Sequence, residues 1–598
     1  MPNMGIVHLF IIAHNCIVGL YLHFYEPKFK KLEGAMTMKV IIVGGVAIGP
    51  KVAARLRRMK QDADITILEK GSLISYGGCG LPLYVANFVP KLDGLMNTAY
   101  GLLRDTEFFQ AQKNVKVLIQ TEAIKIDRKN KTVLVRNLVT DLEETLAYDY
   151  LVLATGAKPS IPPIPGINLG QIFTFHHPND AQKVKELIKT KQVKHATVIG
   201  SGLIGVETAD AIIGPRLKVT VCEADSRVLP KLLDSDMSKL VELKMKEHGV
   251  DLQLSCKVKA FEGDPDGNVC RVVTEQGAID TDMVIVATGV RPEVGLAREA
   301  GLTIGSTGAI QVDEHQMTND PAIYAGGDCA EQRHLVTGEA VYIPLASTAN
   351  KQGRVIADRI AGLPARFASV EGTSALQAFD LNIGRTGLGE EEARKLGYNV
   401  VTSVSSGPDS AHYYPMHANV SIKLIAEQEN GRLLGAQVCG VGESVKRLDV
   451  LATALKFGAK VEDLIDLDLA YAPPFATAID LLIHAATTLE NIRLGVAKGI
   501  TAETLLKRLD AGEKLCILDI REPDEVAANP LSLEGTKVIA LGELRERWEE
   551  IPTDSLIVTV CGLGIRGYEA ACMLQGKGVS QVAYLEGGLA VGSAFFIK

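Results

Sequence analysis

Apolar runs in this chain are short, and most of them lead directly into glycine. Lys39-Val40-Ile41-Ile42-Val43 has a strand pattern, followed by Gly44-Gly45-Val46-Ala47-Ile48-Gly49 and a stretch in which Ala53, Ala54, Leu56 and Met59 recur at helical spacing. Twenty positions past Gly49, the run Ile65-Thr66-Ile67-Leu68 ends at Glu69. Strand, glycine turn, helix, strand and acidic residue form the order of a βαβ nucleotide unit. The small residues Gly44, Gly45, Ala47 and Gly49 admit a pyrophosphate to the helix N-terminus, and Glu69 takes a ribose hydroxyl. The middle glycine of the usual fingerprint is replaced by Val46. The pattern recurs in full as Gly200-Ser201-Gly202-Leu203-Ile204-Gly205, flanked by the runs 196–199 and 218–222 and followed, eighteen positions beyond Gly205, by Glu223. A carboxylate there favours a dinucleotide with a free 2′-hydroxyl, so NADH is the expected donor. Arg216 and Lys218 close by leave NADPH open.

Composition narrows the class. A chain of 598 residues implies about four domains. Its 47% hydrophobic content and 57 glycines suit α/β sheets punctuated by glycine turns. A formal charge of −8 argues against a nucleic-acid or anionic-membrane partner, either of which favours a basic face. The ten cysteines form no metal quartet, so no metal site is expected, and their number suits a reducing cytoplasm rather than a disulfide framework. Residues 1–37 are expected to be an extension outside the fold, with Met36 or Met38 as the functional start. Within it the apolar stretch 6–25 is interrupted by His8, His14 and Asn15, a weak candidate for membrane attachment that stays open.

Three further turns tie the two units together: Ala154-Thr155-Gly156, Ala287-Thr288-Gly289 and Tyr324-Ala325-Gly326-Gly327-Asp328-Cys329-Ala330. In combination they resemble the FAD-dependent pyridine nucleotide-disulfide oxidoreductases over about residues 38–490. The resemblance implies an α/β fold with two Rossmann-like domains: an FAD domain at 38–157 and 281–345, and an NAD(H) domain at 158–280. An α+β dimerisation domain at 346–492 and a homodimer follow from it. It places Glu69, Lys70, Ala123, Ala154, Thr155, Gly156, Gly289, Ala346 and, on the second unit, Glu207 at the cofactors, with Asp328 at the FAD ribitol.

Within that family the glutathione-reductase-like members carry a cysteine pair near the first unit, whereas Ile74-Ser75-Tyr76-Gly77-Gly78-Cys79-Gly80-Leu81-Pro82 holds only Cys79. The chain is therefore similar to the single-cysteine branch of coenzyme A-disulfide reductases, persulfide reductases and NADH oxidases or peroxidases. Peroxide reduction is set aside, because the first glycine loop lacks the peroxidases' histidine. Tyr471-Ala472-Pro473-Pro474 and Tyr413-Tyr414-Pro415 match tyrosine elements of the coenzyme A-disulfide reductases, which implies that Tyr471 reaches the partner subunit's flavin and cysteine. A phenol there can hand a proton to a departing thiolate. Arg55, Arg58 and Ser75 stand at positions that contact coenzyme A in that branch. Gly78 and Ile479 replace an Asn and a Lys expected there, so coenzyme A as the thiol carrier stays open.

After Asn491 a glycine-bearing linker leads to Thr501, a helix N-cap by type and place. Residues 500–598 resemble a rhodanese domain through Leu515-Cys516-Ile517-Leu518-Asp519-Ile520-Arg521-Glu522-Pro523-Asp524-Glu525 and Cys561-Gly562-Leu563-Gly564-Ile565-Arg566-Gly567. That implies amides from Cys561 to Arg566 wrapped around the sulfur, with a helix starting near Tyr568 adding its positive end. Cys222, Cys516 and Cys572 are expected in the core. Together these features imply an enzyme in which NADH reduces FAD, FAD reduces Cys79, and Cys79 attacks a persulfide, polysulfide or disulfide while Cys561 carries sulfane sulfur. An NADH oxidase, and a sulfur-carrier or redox-sensing protein, are the alternatives.

Overall fold

The computed structural model describes residues 37–531 and 533–596, so the apolar stretch 6–25 lies outside the described residues. The first apolar runs build a parallel five-stranded sheet in the order Ile323–Ala325, Tyr150–Leu153, Lys39–Val43, Asp64–Leu68, Lys116–Leu118. Both of its faces are covered, which is why its strands are continuously apolar rather than alternating. The helix Ile48–Met59 buries Val52, Ala53 and Leu56 against it.

A second parallel sheet runs Asp251–Gln253, Lys218–Cys222, His195–Ile199, Met283–Val286, Ile172–Phe173. It moves one expected boundary. Met283–Val286, placed by sequence in the returning FAD domain, is fully buried beside His195–Ile199 in the NAD sheet. The return comes at Ala287-Thr288-Gly289, after which Val290–Pro292 pairs with Ala157–Pro159. A second boundary moves as well. The helix Ala346–Ile360, expected to open the dimerisation domain, lays Ala349, Ile356 and Ala357 into the same core as Ile48, Val52 and Leu56. It belongs to the FAD domain, since its buried face lies on the helix Ile48–Met59 and the turn Gly327–Cys329.

The dimerisation domain is an antiparallel sheet, Ser374–Ala378, Leu381–Gly387, Leu433–Gly440, Asn419–Glu427, Val400–Pro408, backed by the helices Val445–Lys456 and Leu481–Arg493. The last domain has a parallel sheet in the order Gly499–Ile500, Val582–Leu585, Leu556–Val560, Leu515–Asp519, Thr536–Val538. Thr501 caps its first helix by accepting the Thr504 amide at 3.2 Å, as its type and place imply. Its terminal helix Gly588–Phe596 packs on Ser235–Glu247 of the NAD domain, with Val591 sharing a core with Met237 and Val241.

Candidate active sites

Both glycine turns are built alike. Gly44 and Gly200 take positive φ of 114° and 97°, and a Cβ on them would lie 2.0 Å from the Ala154 carbonyl oxygen and 2.6 Å from that of Ala287. The closing glycines are packed as tightly, since a Cβ on Gly49 or Gly205 would sit 1.9 or 2.0 Å from the carbonyl oxygen of Gly44 or Gly200. At Gly202 a Cβ meets nothing, so no protein contact demands glycine at the middle position. Val46 therefore costs the first turn nothing in its own packing. Each turn is braced by its acidic residue. Glu69 accepts the amides of Gly45 and Gly71, both at 2.7 Å, and Glu223 accepts the Ser201 amide and hydroxyl, both at 2.7 Å, and the Asp225 amide at 2.9 Å. A carboxylate offers about four lone-pair sites, so one or more remain on each for a ribose hydroxyl.

One continuous cavity of ≈ 2380 Å³ joins the two turns. Gly44, Gly45, Ala47, Glu69, Ala154, Thr155, Gly156, Asp328 and Ala346 line its first arm. Gly200, Gly202, Glu207, Glu223 and Gly289 line the second. Arg58 and Ser75 line it too. Arg55 does not: its guanidinium is paired with Asp358 at 2.7 Å, turned onto the helix Ala346–Ile360. Lys70 is paired with Glu122 and, like Ala123 on the strand Thr121–Asp127, stands outside the lining.

Cys79 sits between the arms, in the single turn Gly78–Gly80 that precedes the helix Leu81–Val85. It is exposed to the cavity, and burial of its surroundings, then the carboxylates of Glu207 and Asp328, push its thiol pKa up. The three residues meet from three separate segments. Glu207 is itself raised to about 7, by burial first and then by Asp210. Asp328 is raised by burial and drawn back by His176. Three residues of this region escaped the sequence reading. Tyr342 keeps its buried hydroxyl unpartnered, Gln352 accepts the Gly327 amide at 2.8 Å and so fixes the turn carrying Asp328, and His176 lines the wall. A lone Tyr, Gln or His in a long chain carries no signal of its own; only the fold brings them here.

The cavity fits an FAD and a dinucleotide on this chain's own geometry: two positive-φ glycine cradles that a Cβ would fill, each facing a helix N-terminus, with buried polar atoms left open between them. Residues 38–353 match the pyridine nucleotide-disulphide oxidoreductases and residues 373–483 match that family's dimerisation domain. The chain belongs to this family. The family is FAD-dependent and uses NAD(P)H. Residues 501–594 match the rhodanese-like domain. An NAD(P)H coenzyme A polysulfide/persulfide reductase of Pyrococcus horikoshii is 37% identical over 455 residues, 76% of this chain and 99% of that one. Among solved structures, an NAD-dependent persulfide reductase from A. fulgidus is 42% identical with a TM-score of 0.88, covering 93% of this chain and all of that one. The reduced Bacillus anthracis CoADR-RHD is 37% identical with a TM-score of 0.86, covering 94% and 98%.

The tyrosines of the dimerisation domain stand outside their own chain's cavity. Tyr413 and Tyr471 are both more than half exposed, and a hydrogen bond donated by the Tyr413 hydroxyl to the Tyr471 side chain raises the Tyr413 phenol pKa. Tyr414 lies in the same loop, its carbonyl accepting His417 at 2.7 Å. Met416, Phe475 and Ile479, a few positions away in the sequence, are exposed apolar side chains as well.

In the rhodanese-like domain Cys561 is buried and its Sγ accepts two amides, Gly564 at 3.1 Å and Gly567 at 3.3 Å. The helix that follows starts at Ile565, three residues before the expected Tyr568, because Gly564 with φ 96° turns the chain into it at once. Arg566 is locked to Glu525 through two bonds of 2.6 and 2.7 Å, and that pairing first of all holds the Glu525 carboxyl down at about 2. Cys516 and Cys222 are buried as expected, while Cys572 is only partly so, on a helix face toward Tyr568. Among the described residues no rhodanese-like residue lines the Cys79 cavity.

Proposed function

We propose that this chain is a homodimeric NADH-dependent reductase of persulfide or polysulfide sulfur, working through Cys79, with Cys561 as a fused sulfane carrier. The observation that supports it is the pairing, on one polypeptide, of a lone cavity thiol between two nucleotide cradles with a second thiol wrapped in amides. The relatives named for persulfide and polysulfide reduction match this chain over 99% and 100% of their own lengths.

Bound FAD passes two electrons from NADH to sulfur. The chain's own residues do the rest. The Cys79 thiolate displaces HS⁻ from RSSH, forming a Cys79–S–S–R disulfide and breaking the S–SH bond. Two electrons then break the new disulfide, releasing RS⁻ and restoring Cys79. With one added proton the sum is RSSH and NADH giving RSH, H₂S and NAD⁺. Asp328, placed by the turn that Gln352 holds, serves the FAD ribitol, and Glu69 and Glu223 serve the riboses. Glu207, with a pKa near neutrality, can hold or release a proton beside Cys79. Tyr471 and Tyr413 serve the partner subunit's site, for which their exposure leaves them available.

Cys561 handles sulfur without electrons. Its thiolate attacks the outer sulfur of thiosulfate, the S–S bond breaks, sulfite leaves, and the persulfide is held by the two amides and the helix N-terminus. Coenzyme A as a thiol carrier is supported by Arg58 and Ser75 in the cavity wall. Arg55, turned away to Asp358, does not support it.

The deciding experiment is anaerobic NADH consumption with glutathione persulfide, coenzyme A persulfide, coenzyme A disulfide and polysulfide side by side, and with oxygen as a further arm. The reading expects a persulfide or polysulfide to be fastest. Faster turnover with oxygen makes the chain an NADH oxidase, the activity for which a 33% identical relative from Methanocaldococcus jannaschii is named.

A further inference from the structure

The strand Val582–Leu585 runs directly into Glu586, and the next four residues back the Cys561 loop. The Leu589 and Ala590 amides donate to the carbonyls of Cys561 and Gly562, both at 2.9 Å. A Cβ on Gly588 would lie 2.4 Å from the Gly564 nitrogen and 2.6 Å from the Cys561 carbonyl oxygen, so no side chain fits between the two segments. The Glu586 carboxylate itself points the other way, out of its own domain. It accepts the Val404 amide at 2.9 Å, across 182 positions of sequence. Val404 lies on Val400–Pro408, the edge strand of the dimerisation sheet, whose outward amides have no sheet partner. One buried carboxyl thus fastens the support of the sulfur loop to the reductase body.

The joint is electrostatically crowded. Lys423, opposite Val404 in the sheet register, holds Asp236 at 2.7 Å, Glu390 at 2.8 Å and Asp234 at 3.4 Å. Arg394 and Arg385 stand at its rim, on Glu390 and near Asp234. From the rhodanese-like side come Glu586, Tyr584 two residues before it, and Glu503, which accepts the Ser235 hydroxyl. One buried lysine faces five buried or half-buried carboxyls, three of which already claim it.

We propose that Glu586 is a positioning residue for sulfur transfer, the latch that keeps the Cys561 amide cradle formed while the rhodanese-like domain is docked on the dimerisation sheet. This rests on the sulfane-carrier reading of Cys561. The latch has a pH dependence. Burial, with Asp236 and Glu390 adding to it, pushes Glu586 up to about 7, against the pull of the Val404 amide and Lys423. A group with a raised carboxyl pKa in the closed joint binds a proton there that the open joint releases. Closure is therefore most favourable at and below the ordinary carboxylate range, weakens as pH rises through about 7, and weakens no further above it.

The test uses the full FAD-loaded chain, with two readouts at pH 5 to 8: thiosulfate-to-cyanide transfer, and amide hydrogen exchange of the 561–568 and 400–406 segments. Glu586→Ala, which leaves the Val404 amide unpartnered, is expected to speed exchange in both segments and cut transfer about tenfold, with NADH-driven reduction of a soluble persulfide retained. Glu586→Gln keeps an oxygen for that amide and removes the charge, so transfer and protection at pH 6 should stay at the parent level and their decline toward pH 8 should vanish. Unchanged exchange of the Cys561 loop in Glu586→Ala, or a parent-like pH decline in Glu586→Gln, overturns the proposal. A parent chain that moves no sulfur from thiosulfate overturns the carrier reading alone, and exchange in the two segments then decides the latch.

Discussion

The two cysteines proposed as the reactive ones are held by opposite means. Cys561 is buried, and two backbone amides donate into its sulfur at the head of a twelve-residue helix, Ile565–Gly576. Cys79 is exposed to a large cavity, on a one-turn element, with the carboxylates of Glu207 and Asp328 opposing a negative charge on it. At Cys561 the protein itself aims two amides and a helix N-terminus at the sulfur. At Cys79 the protein opposes the anion, and only what binds in the cavity can favour it. A carrier must hold a persulfide between encounters, so its stabilisation has to be permanent. A redox thiol must accept and lose sulfur within each turnover, so its stabilisation is better made conditional on the cofactor.

The sharpest way to break this contrast is to remove each sulfur in turn. Cys79→Ser should lower anaerobic sulfide release from NADH and a soluble persulfide by at least about 10³-fold, while NADH still bleaches the flavin. Retained sulfide production would end the assignment of electrons to Cys79. Cys561→Ser should abolish thiosulfate-to-cyanide transfer and leave reduction of small persulfides within about twofold, because among the described residues no rhodanese-like one lines the other site. Full transfer activity in that variant would show that the amide cradle is not where sulfane sulfur is held.

How much of this was legible in sequence follows the same division. The cradles are local: a glycine turn, a helix start and a strand end lie within about thirty residues of each other, so Gly44 to Glu69 and Gly200 to Glu223 could be found by spacing. The Cys561 loop is local as well, and missed only the helix start, which the positive φ of Gly564 advances to Ile565. The neighbours of Cys79 are not local. Glu207 and Asp328 came from family resemblance, and Tyr342, Gln352 and His176 carried no pattern at all. Domain edges failed where one segment's apolar face fits two domains equally well on paper. Met283–Val286 and Ala346–Ile360 found their sheets by burial, which a sequence reading has no means to rank. Arg55 failed for a similar reason: at helical spacing from Arg58 it shares much of a face, yet Asp358 takes it.

The partner subunit offers a milder perturbation. If Tyr471 completes the other chain's Cys79 site, Tyr471→Phe should slow acceptor turnover on the order of 10-fold and leave the rate of NADH-to-flavin transfer unchanged in rapid-mixing spectra. Equal slowing of both half-reactions would mean that Tyr471 supports the fold and not the chemistry. The variant must remain dimeric in sedimentation, since the exposed apolar side chains of Met416, Phe475 and Ile479 are unchanged in it.

The smallest effect concerns the charges around Cys79. Burial raises its thiol most, and the Glu207 carboxylate adds to that by opposing a second negative charge nearby. Glu207 itself ionises at about 7, so its opposition grows as pH passes through that value and is complete above it. Glu207→Gln removes the charge and keeps the volume, and the Cys79 thiolate should then form at lower pH. Alkylation of Cys79 by iodoacetamide in the NADH-reduced enzyme, followed from pH 6 to 9, should be about threefold faster near pH 8 in the variant, the equivalent of about half a pKa unit. Below pH 6, where the parent Glu207 is protonated, the two proteins should react alike. A variant whose alkylation profile overlays the parent throughout would mean that Glu207 does not set the thiol's charge state, and would leave desolvation and the Asp328 carboxylate as what opposes the Cys79 thiolate.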